Sequence, residues 1–501
     1  MRRILALALA ALPVLLLAQP AHSAPDGTLT PTSATVLVGD AIGFSYTTPL
    51  PNAKNWVGLY SDPGNGPVNE QYVGPSTKWV YTAAASGTGS LPSAGLTAGR
   101  YILYFLRDDG YAWAAPPVTV QLVATTQPRF VSTAFDLRNA KVGTAYSATV
   151  GGLVVGNTTG LTFRKTSGPA WVAVAANGTV SGTPTATGIA PVGIRATNAS
   201  GLTADTVARV EVQASVLVPT LKVLSWNLWH GGTQVGGYRE KQLRFLLEQD
   251  VDAVGIQENE GSAAQQLAQA LGWSYHQNSD IAVLSRYPIT ATGPVVAGSA
   301  IAATINLGSR SVKLWSAHLG YTPYGPYDAC FGRMSTSQLL NREAQSGRTQ
   351  QITSIITAMQ ADLTASSSVP VLLVGDFNAP SHLDWTGGNS RCGYGAVAWP
   401  TSTAPQNAGL TDSFRQANPN PATAPGNTWS PVFKTYTGGY GYDSHAGEPE
   451  PQDRIDFIHY RGPLAVQASQ TVVEGTPSQT NPGSNAWTSD HAAVLTTFRV
   501  S

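Results

Sequence analysis

The sequence predicts a multidomain chain, two all-β sandwiches followed by a layered α/β sandwich. Three observations predict it. Up to about residue 215, short alternating hydrophobic runs are separated by Gly, Pro and Asn turns, with no helical periodicity competing. From Leu221 onward, strand-like runs alternate with segments whose leucines and isoleucines recur at helical spacing. The 501 residues, with 51 Gly, 34 Pro and 12% charged side chains, describe turns and strands under a lightly charged surface, too apolar overall to be disordered.

Residues 1–23 read as an export leader rather than as part of the fold. Arg2 and Arg3 precede an apolar run from Ile4 to Ala18, and the small residues Ala21 and Ser23 suit cleavage after Ser23. A spanning helix needs about 20 apolar residues, whereas this run is shorter and holds Pro13, so a retained anchor is the weaker reading. No later stretch is long and apolar enough to cross a bilayer, and a secreted, soluble protein without transmembrane anchoring is expected. The remainder is long enough for three domains of ordinary size.

Residues 27–123 form the first expected sandwich, from runs such as Ala34–Val38, Trp56–Tyr60, Tyr101–Phe105 and Pro117–Leu122. The block Asn55–Tyr60, with Asp109-Gly110-Tyr111 later, resembles immunoglobulin-like or fibronectin-like modules. Its aromatic residues at strand positions read as core, with a carbohydrate or cell-surface contact as the alternative. Residues 128–215 form the second. There Gly143–Val150 and Leu161–Phe163 alternate, and Asn177-Gly178 suits a tight hairpin. With Gly182-Thr183-Pro184 it resembles immunoglobulin-like or cadherin-like repeats, without the acidic clusters of a calcium-bridged cadherin. The junctions at 124–128 and 216–220 are too short to be flexible tethers.

The third domain, 219–501, opens with the strand Leu221–Asn227. Leu243, Leu246 and Leu247 mark a helix before the strand Val251–Gln257, and Leu267, Ala270 and Leu271 mark a second helix before the strand Ile281–Ser285. Ile352, Ile355, Ile356 and Met359 give the apolar face of a longer helix. Pro370–Val374 reads as a strand buried on both faces that stops at Gly375-Asp376-Phe377-Asn378, so Asp376 and Asn378 leave the sheet together and point the same way.

Similar polar endings recur at Ser225-Trp226-Asn227, Gln257-Glu258, Ser316-Ala317-His318, Asp453-Arg454-Ile455-Asp456 and Ser489-Asp490-His491. In this order they resemble the endonuclease/exonuclease/phosphatase superfamily, metal-dependent phosphoesterases similar to DNase I. The resemblance covers roughly Pro219 to Ser501 and implies a four-layered DNase I-like α/β sandwich. It also implies a metal-dependent phosphoric ester hydrolase in which water attacks phosphorus directly, without a covalent intermediate.

In that resemblance Glu258 is the direct ligand of Mg²⁺, with Mn²⁺ or Ca²⁺ as alternatives, and Asn227, Asp490 and Gln257 complete the metal's surroundings. Hard divalent ions prefer such oxygen donors. His491 is the general base with Asp456 orienting it, and His318 donates to a phosphate oxygen. Asp376 orients the water or holds the metal, and Asn378 binds phosphate. Asp453 and Arg454 lie close enough in sequence to leave open which acid faces His491. Tyr324, within the run Tyr321–Tyr327, would form part of a substrate-facing aromatic wall. The glycine-rich stretch Gly231–Gly237 lacks the lysine of a phosphate-binding P-loop and reads as a loop at the mouth of the site.

Cys330 and Cys392 both fall in polar inserts of an exported chain, and a disulfide between them is expected. Within 219–501 there are 16 Lys plus Arg and 20 Asp plus Glu, hence 16 − 20 = −4. That balance weighs against strong non-specific attraction to duplex DNA. The substrate is a phosphate ester, with three classes left open: a nucleic acid, as for an extracellular DNase or RNase; a lipid headgroup, as for a sphingomyelinase or phosphoinositide phosphoesterase; or a small organic phosphate. The rival of another class is an inactive surface-binding protein in which the sandwiches do the work.

Overall fold

The computed structural model describes residues 25–124 and 127–500. The expected leader at 1–23, and Thr125 and Thr126 of the first junction, lie outside the described residues. The chain divides into two compact units, one containing Phe44–Thr88 and Tyr101–Thr119 with the residues up to Thr32, the other containing Ser33–Gly43, Gly89–Arg100 and Val120–Ser501. The first unit is all-β around Trp56, Tyr60, Tyr104 and Leu106, with the Tyr60 and Tyr104 rings meeting edge-on.

The second unit contains another all-β region, in which strands from Pro128 to Gln213 form sheets of five, three and two strands. The Asn177-Gly178 turn joins Val172–Val174 to Thr179–Gly182 as an antiparallel pair, with Gly178 at φ 85°. The N-terminal portion of the chain is thus multi-sheet all-β, as its alternating runs predict.

From Thr220 the architecture is α/β. We number its strands β1 (Thr220–Asn227), β2 (Ala253–Gln257), β3 (Ser274–Gln277), β4 (Ala282–Ser285), β5 (Ile289–Val296), β6 (Ala300–Asn306), β7 (Ser311–His318), β8 (Val371–Asp376), β9 (Thr411–Asp412), β10 (Asp456–Arg461), β11 (Leu464–Val472) and β12 (Ala493–Val500). They form two six-stranded sheets, ordered β3-β4-β2-β1-β12-β11 and β5-β6-β7-β8-β10-β9. Between the sheets Leu221, Val223, Ala253, Val283 and Phe498 meet Ile305, Leu314, Leu372, Val374 and Ile458. The approach is close: a Cβ on Gly255 of β2 would lie 2.2 Å from Val374 Cγ2, which is why β2 carries glycine there.

Helices cover both outer faces and make four layers. Helix α1 (Tyr238–Glu248) and helix α2 (Ala263–Leu271) bury Leu243, Leu246, Leu267 and Leu271 against Trp226 and Ile256. On the other sheet, α3 (Arg348–Ala358) presents Ile352 and Ile355, with Met359 just beyond it, to Trp315 and Leu373. The core around α1 and α2 continues into Phe130, Phe135 and Leu153 of the preceding all-β region. A Cβ on Gly152 would come within 2.5 Å of the Ala270 main chain, and Arg129 pairs with Glu240 on α1.

Cys330 and Cys392 are bonded to each other, with their Cα atoms 5.1 Å apart. Cys330 lies at the end of a short helix, Gly325–Cys330, rather than in an irregular insert, because Pro326 at its first turn starts the helix. No helix among the described residues is long and apolar enough to cross a membrane.

Candidate active site

Strand parity builds the site. In β1 the odd residues Leu221 and Val223 face the opposite sheet, and in β8 the even residues Leu372 and Val374 do. Continuing each row to its strand end gives Asn227 on β1 and Asp376 on β8. The same rows give Gln257 on β2, His318 on β7 and Asp456 at the start of β10. Register then aligns them: Asn227 lies opposite Gln257, and Asp376 lies between His318 and Asp456. The apolar core between the sheets therefore gives way to a polar floor at one end of the sandwich.

Asn227 and Gln257 stay buried as supports. Asn227 Nδ2 donates to Glu258 Oε1 at 3.0 Å and to Asp376 Oδ2 at 3.1 Å, and Gln257 Nε2 donates to Ser316 Oγ at 3.1 Å. Glu258, one residue past the inward slot, reaches the same space because its backbone is left-handed, with φ 56°. Its second oxygen accepts the His230 N–H at 2.7 Å. Burial pushes the Glu258 carboxyl up, but the Asn227 amide and the His230 N–H outweigh it and leave the group below its ordinary value. It stays ionised.

His491 Nδ1 lies 2.9 Å from Asp456 Oδ2, and its Nε2 lies 3.8 Å from Asp376 Oδ2. The acid paired with His491 is Asp456. Burial alone would lower this imidazole; the Asp456 and Asp376 carboxylates outweigh burial and hold it well above its usual value. His318 Nδ1 lies 2.9 Å from Asp280 Oδ2 and its Nε2 3.7 Å from Asp376. Burial again lowers it, Asp280 and Asp376 raise it more, and it stands at about 9. Burial pushes Asp376 up to about 6 and Asp490 up to about 7.

Asn378, with φ 50°, folds back over the strand end. Its N–H donates to Asp376 Oδ1 at 2.8 Å, and its Nδ2 donates to Leu319 O and Asp376 Oδ2. One of those bonds must be exchanged before its amide can bind a phosphate. Glu258, His318, Tyr324, Asp376, Asn378, Asp490 and His491 line one cavity of about 640 Å³.

Asp453 and Arg454 do not line the cavity. Asp453 accepts the Trp385 N–H at 2.8 Å, and its backbone pairs with Trp429. Arg454 is fully buried between Asp384 and Asp412, at 2.9 and 2.7 Å. Both precede β10, so the alternation of that strand does not carry them inward. Burial pushes the Asp453 carboxyl from 3.8 up to about 7, with Arg391 and the Trp385 N–H opposing it. A raised folded value means a stabilising contribution complete below pH 3.8 and lost as pH rises through about 7. Asp453→Asn should therefore melt higher than the parent at pH 8 and converge with it near pH 4 in thermal scans; a lower melting temperature at pH 8 would mean that ionised Asp453 is held favourably by Arg391.

Sequence reasoning missed Asp280, whose position just before the buried strand β4 was the available signal. It also missed Trp429, Tyr436, Tyr440 and Glu450, which come from an irregular segment without periodicity.

The donor set suits a divalent ion. Asp376, Asp456 and His491 are buried and each offers a ligand atom within 4.8 Å of the others, a spacing compatible with a divalent ion at this end of the sandwich. Asp456 Oδ1 and Asp490 Oδ1 are buried without a hydrogen-bond partner, and such oxygens are satisfied by a hard cation or its bound water.

Residues 224–491 match the Endonuclease/Exonuclease/phosphatase family. An uncharacterized protein of Caenorhabditis elegans is 30% identical over 290 residues, covering 56% of this chain and 91% of that protein. Among solved structures, D. rerio TDP2 complexed with a single-strand DNA product is 16% identical, covers 56% of this chain and 98% of that one, and has a TM-score of 0.37. The mannosyl-6-phosphatase of Bacteroides thetaiotaomicron is 14% identical, covers 56% and 99%, and has a TM-score of 0.34.

Proposed function

The chain belongs to the endonuclease/exonuclease/phosphatase family, and from this premise we propose a secreted Mg²⁺-dependent phosphoesterase in which His491 activates the attacking water. The family fold and the buried Asp–Asp–His group are those of a divalent-metal-dependent phosphoesterase site. The observation that carries the finer reading is the ordered pair of His491 and Asp456 beside the cavity, with Nε2 turned toward Asp376 at 3.8 Å.

Each residue then has a role. A divalent ion bound beside these carboxylates would offset the negative charge that raises His491, and the neutral imidazole, its tautomer fixed by Asp456, would take the water proton at Nε2. Asp376, 3.8 Å from that nitrogen, holds the water in line with phosphorus. His318, kept as imidazolium by Asp280, donates to a phosphate oxygen as charge gathers there. Asn378 gives its amide to another phosphate oxygen. Glu258 and Asp490, supported by Asn227 and Gln257, would hold the ion. When bound, a divalent ion supplies positive charge against the phosphoryl oxygens and the leaving oxygen.

Export is supported by the leader-like residues 1–23 and by the Cys330–Cys392 bond, since such bonds persist in oxidising compartments. For the two all-β regions we propose immunoglobulin-like modules that carry a cell-surface or carbohydrate contact. The full set of polar groups around the cavity argues against an inactive surface-binding protein.

The test is turnover of bis(p-nitrophenyl) phosphate by metal-stripped protein, then with Mg²⁺, Mn²⁺ or Ca²⁺ restored, alongside plasmid DNA, RNA, sphingomyelin and phosphoinositides. Activity abolished by chelation and regained with Mg²⁺ is expected. No turnover of any ester with any of the three ions would end this reading.

A further inference from the structure

One part of the cavity is unused by the chemistry above. Beside the catalytic groups, Tyr324, Tyr327, Tyr436, Tyr440 and Trp429 surround the carboxylate of Glu450. Glu450 is only 5% exposed, and one of its oxygens accepts both the Tyr327 hydroxyl at 2.6 Å and the Trp429 N–H at 2.8 Å. It thereby ties the tyrosine flank to the tryptophan flank. Tyr327 meets Tyr324 at 4.8 Å, Tyr436 at 4.9 Å and Tyr440 at 5.9 Å between ring centroids, so the tyrosines form a continuous wall. Trp429 packs on the His491 ring at 5.1 Å, which places this subsite one indole away from the base.

The electrostatics of this subsite are one-sided. Among the described residues lining the cavity there is no lysine or arginine; the charged and titratable groups are carboxylates, imidazoles and tyrosines. Glu450 has only two neutral donors as partners, and a buried carboxylate without a cation is incompletely compensated. Aromatic faces around such a carboxylate attract a cation through their negative π-surfaces, and a quaternary ammonium, which needs no hydrogen-bond acceptor, suits them best. A substrate carrying several phosphates would meet no lysine or arginine among the described residues that line the cavity.

We propose that this aromatic box with Glu450 at its base is a subsite for a quaternary ammonium group, so that the substrate is a phosphate ester carrying one phosphate and one such cation. The proposal rests on the phosphoesterase reading and names its substrate class. It assigns Glu450 and Trp429 to substrate selection, with no part in the proton transfers.

The test compares two soluble esters of one shape with Mg²⁺ present: p-nitrophenyl phosphocholine and its counterpart without the cation, 3,3-dimethylbutyl p-nitrophenyl phosphate. The parent protein should prefer the cationic ester in kcat/KM by about tenfold or more. Glu450→Gln keeps an acceptor for Tyr327 and Trp429 while removing the charge, and should bring the ratio close to one. Tyr440→Leu, at a ring 56% exposed and so of small consequence for folding, should also lower it. Calorimetry with tetramethylammonium reads the subsite without turnover: heat of binding in the parent that is lost in Glu450→Gln is expected. A parent that hydrolyses both esters equally and does not bind tetramethylammonium overturns the subsite while leaving the phosphoesterase reading intact. A parent that hydrolyses neither but binds tetramethylammonium through Glu450 supports the subsite and removes the phosphoesterase reading. Phosphocholine release from sphingomyelin vesicles, set beside release from soluble glycerophosphocholine, tells whether the cation arrives on a lipid or on a free ester.

Discussion

His491→Ala is expected to lower turnover of a soluble phosphodiester by a factor on the order of 10² to 10⁴, the usual worth of a positioned acid–base group, while affinity for Mg²⁺ stays near that of the parent. The substitution is well suited to isolating chemistry from folding. The main chain at 491 is held independently of the imidazole, its N–H by Ser489 Oγ at 2.9 Å and its carbonyl by the Trp487 N–H at 2.6 Å. Removing the ring therefore empties the space between Asp456 and Asp376 without releasing the segment. Initial rates beside metal-binding calorimetry, after a circular dichroism check of folding, measure both quantities. A rate within tenfold of the parent would remove His491 as the base, and a lost ion would make it a ligand instead.

What could be read in the sequence follows from periodicity. The strand rows of β1, β2, β7, β8 and β10 alternate with period two, and each ends in a polar residue on the face that the row had already fixed as inward. Leu243, Leu246 and Leu247 show the helical period equally well, because α1 buries one stripe on the sheet. These features are local, and the fold of residues from 220 onward follows from them.

The remainder depends on contacts that no local pattern encodes. Asp453 and Asp456 are three residues apart, and only the point at which β10 begins decides that Asp456 faces His491 while Asp453 turns to Trp385. Asp280 belongs to the site through a partner 38 residues later, His318. Trp429 and Glu450 reach the cavity on an irregular segment that crosses between Asp453 and His491 by single backbone bridges. Glu258 is set by one left-handed residue, a conformation that glutamate does not advertise.

Glu258→Ala should fail in a different way from His491→Ala. The parent carboxylate is ionised and held at both oxygens by neutral donors, Asn227 Nδ2 and the His230 N–H, with the His230 imidazole 3.8 Å away, so its negative charge is fixed toward the cavity. A hard divalent ion gains most from such an oxygen. Its removal leaves Asp376 and Asp490, both raised by burial to about 6 and about 7, as weaker anionic donors near neutral pH. Affinity for Mg²⁺ is therefore expected to fall by about tenfold or more, the scale seen when even the supports of a metal site are lost. Turnover at low Mg²⁺ should fall with it. The decisive reading is a Mg²⁺ titration of the initial rate: raising the ion should recover part of the rate in Glu258→Ala and none in His491→Ala, because only the first defect is one of occupancy. If His491→Ala is the variant rescued by the ion while Glu258→Ala keeps both affinity and rate, the two assignments are exchanged. In that case the Asp376, Asp456 and His491 group is itself the metal site.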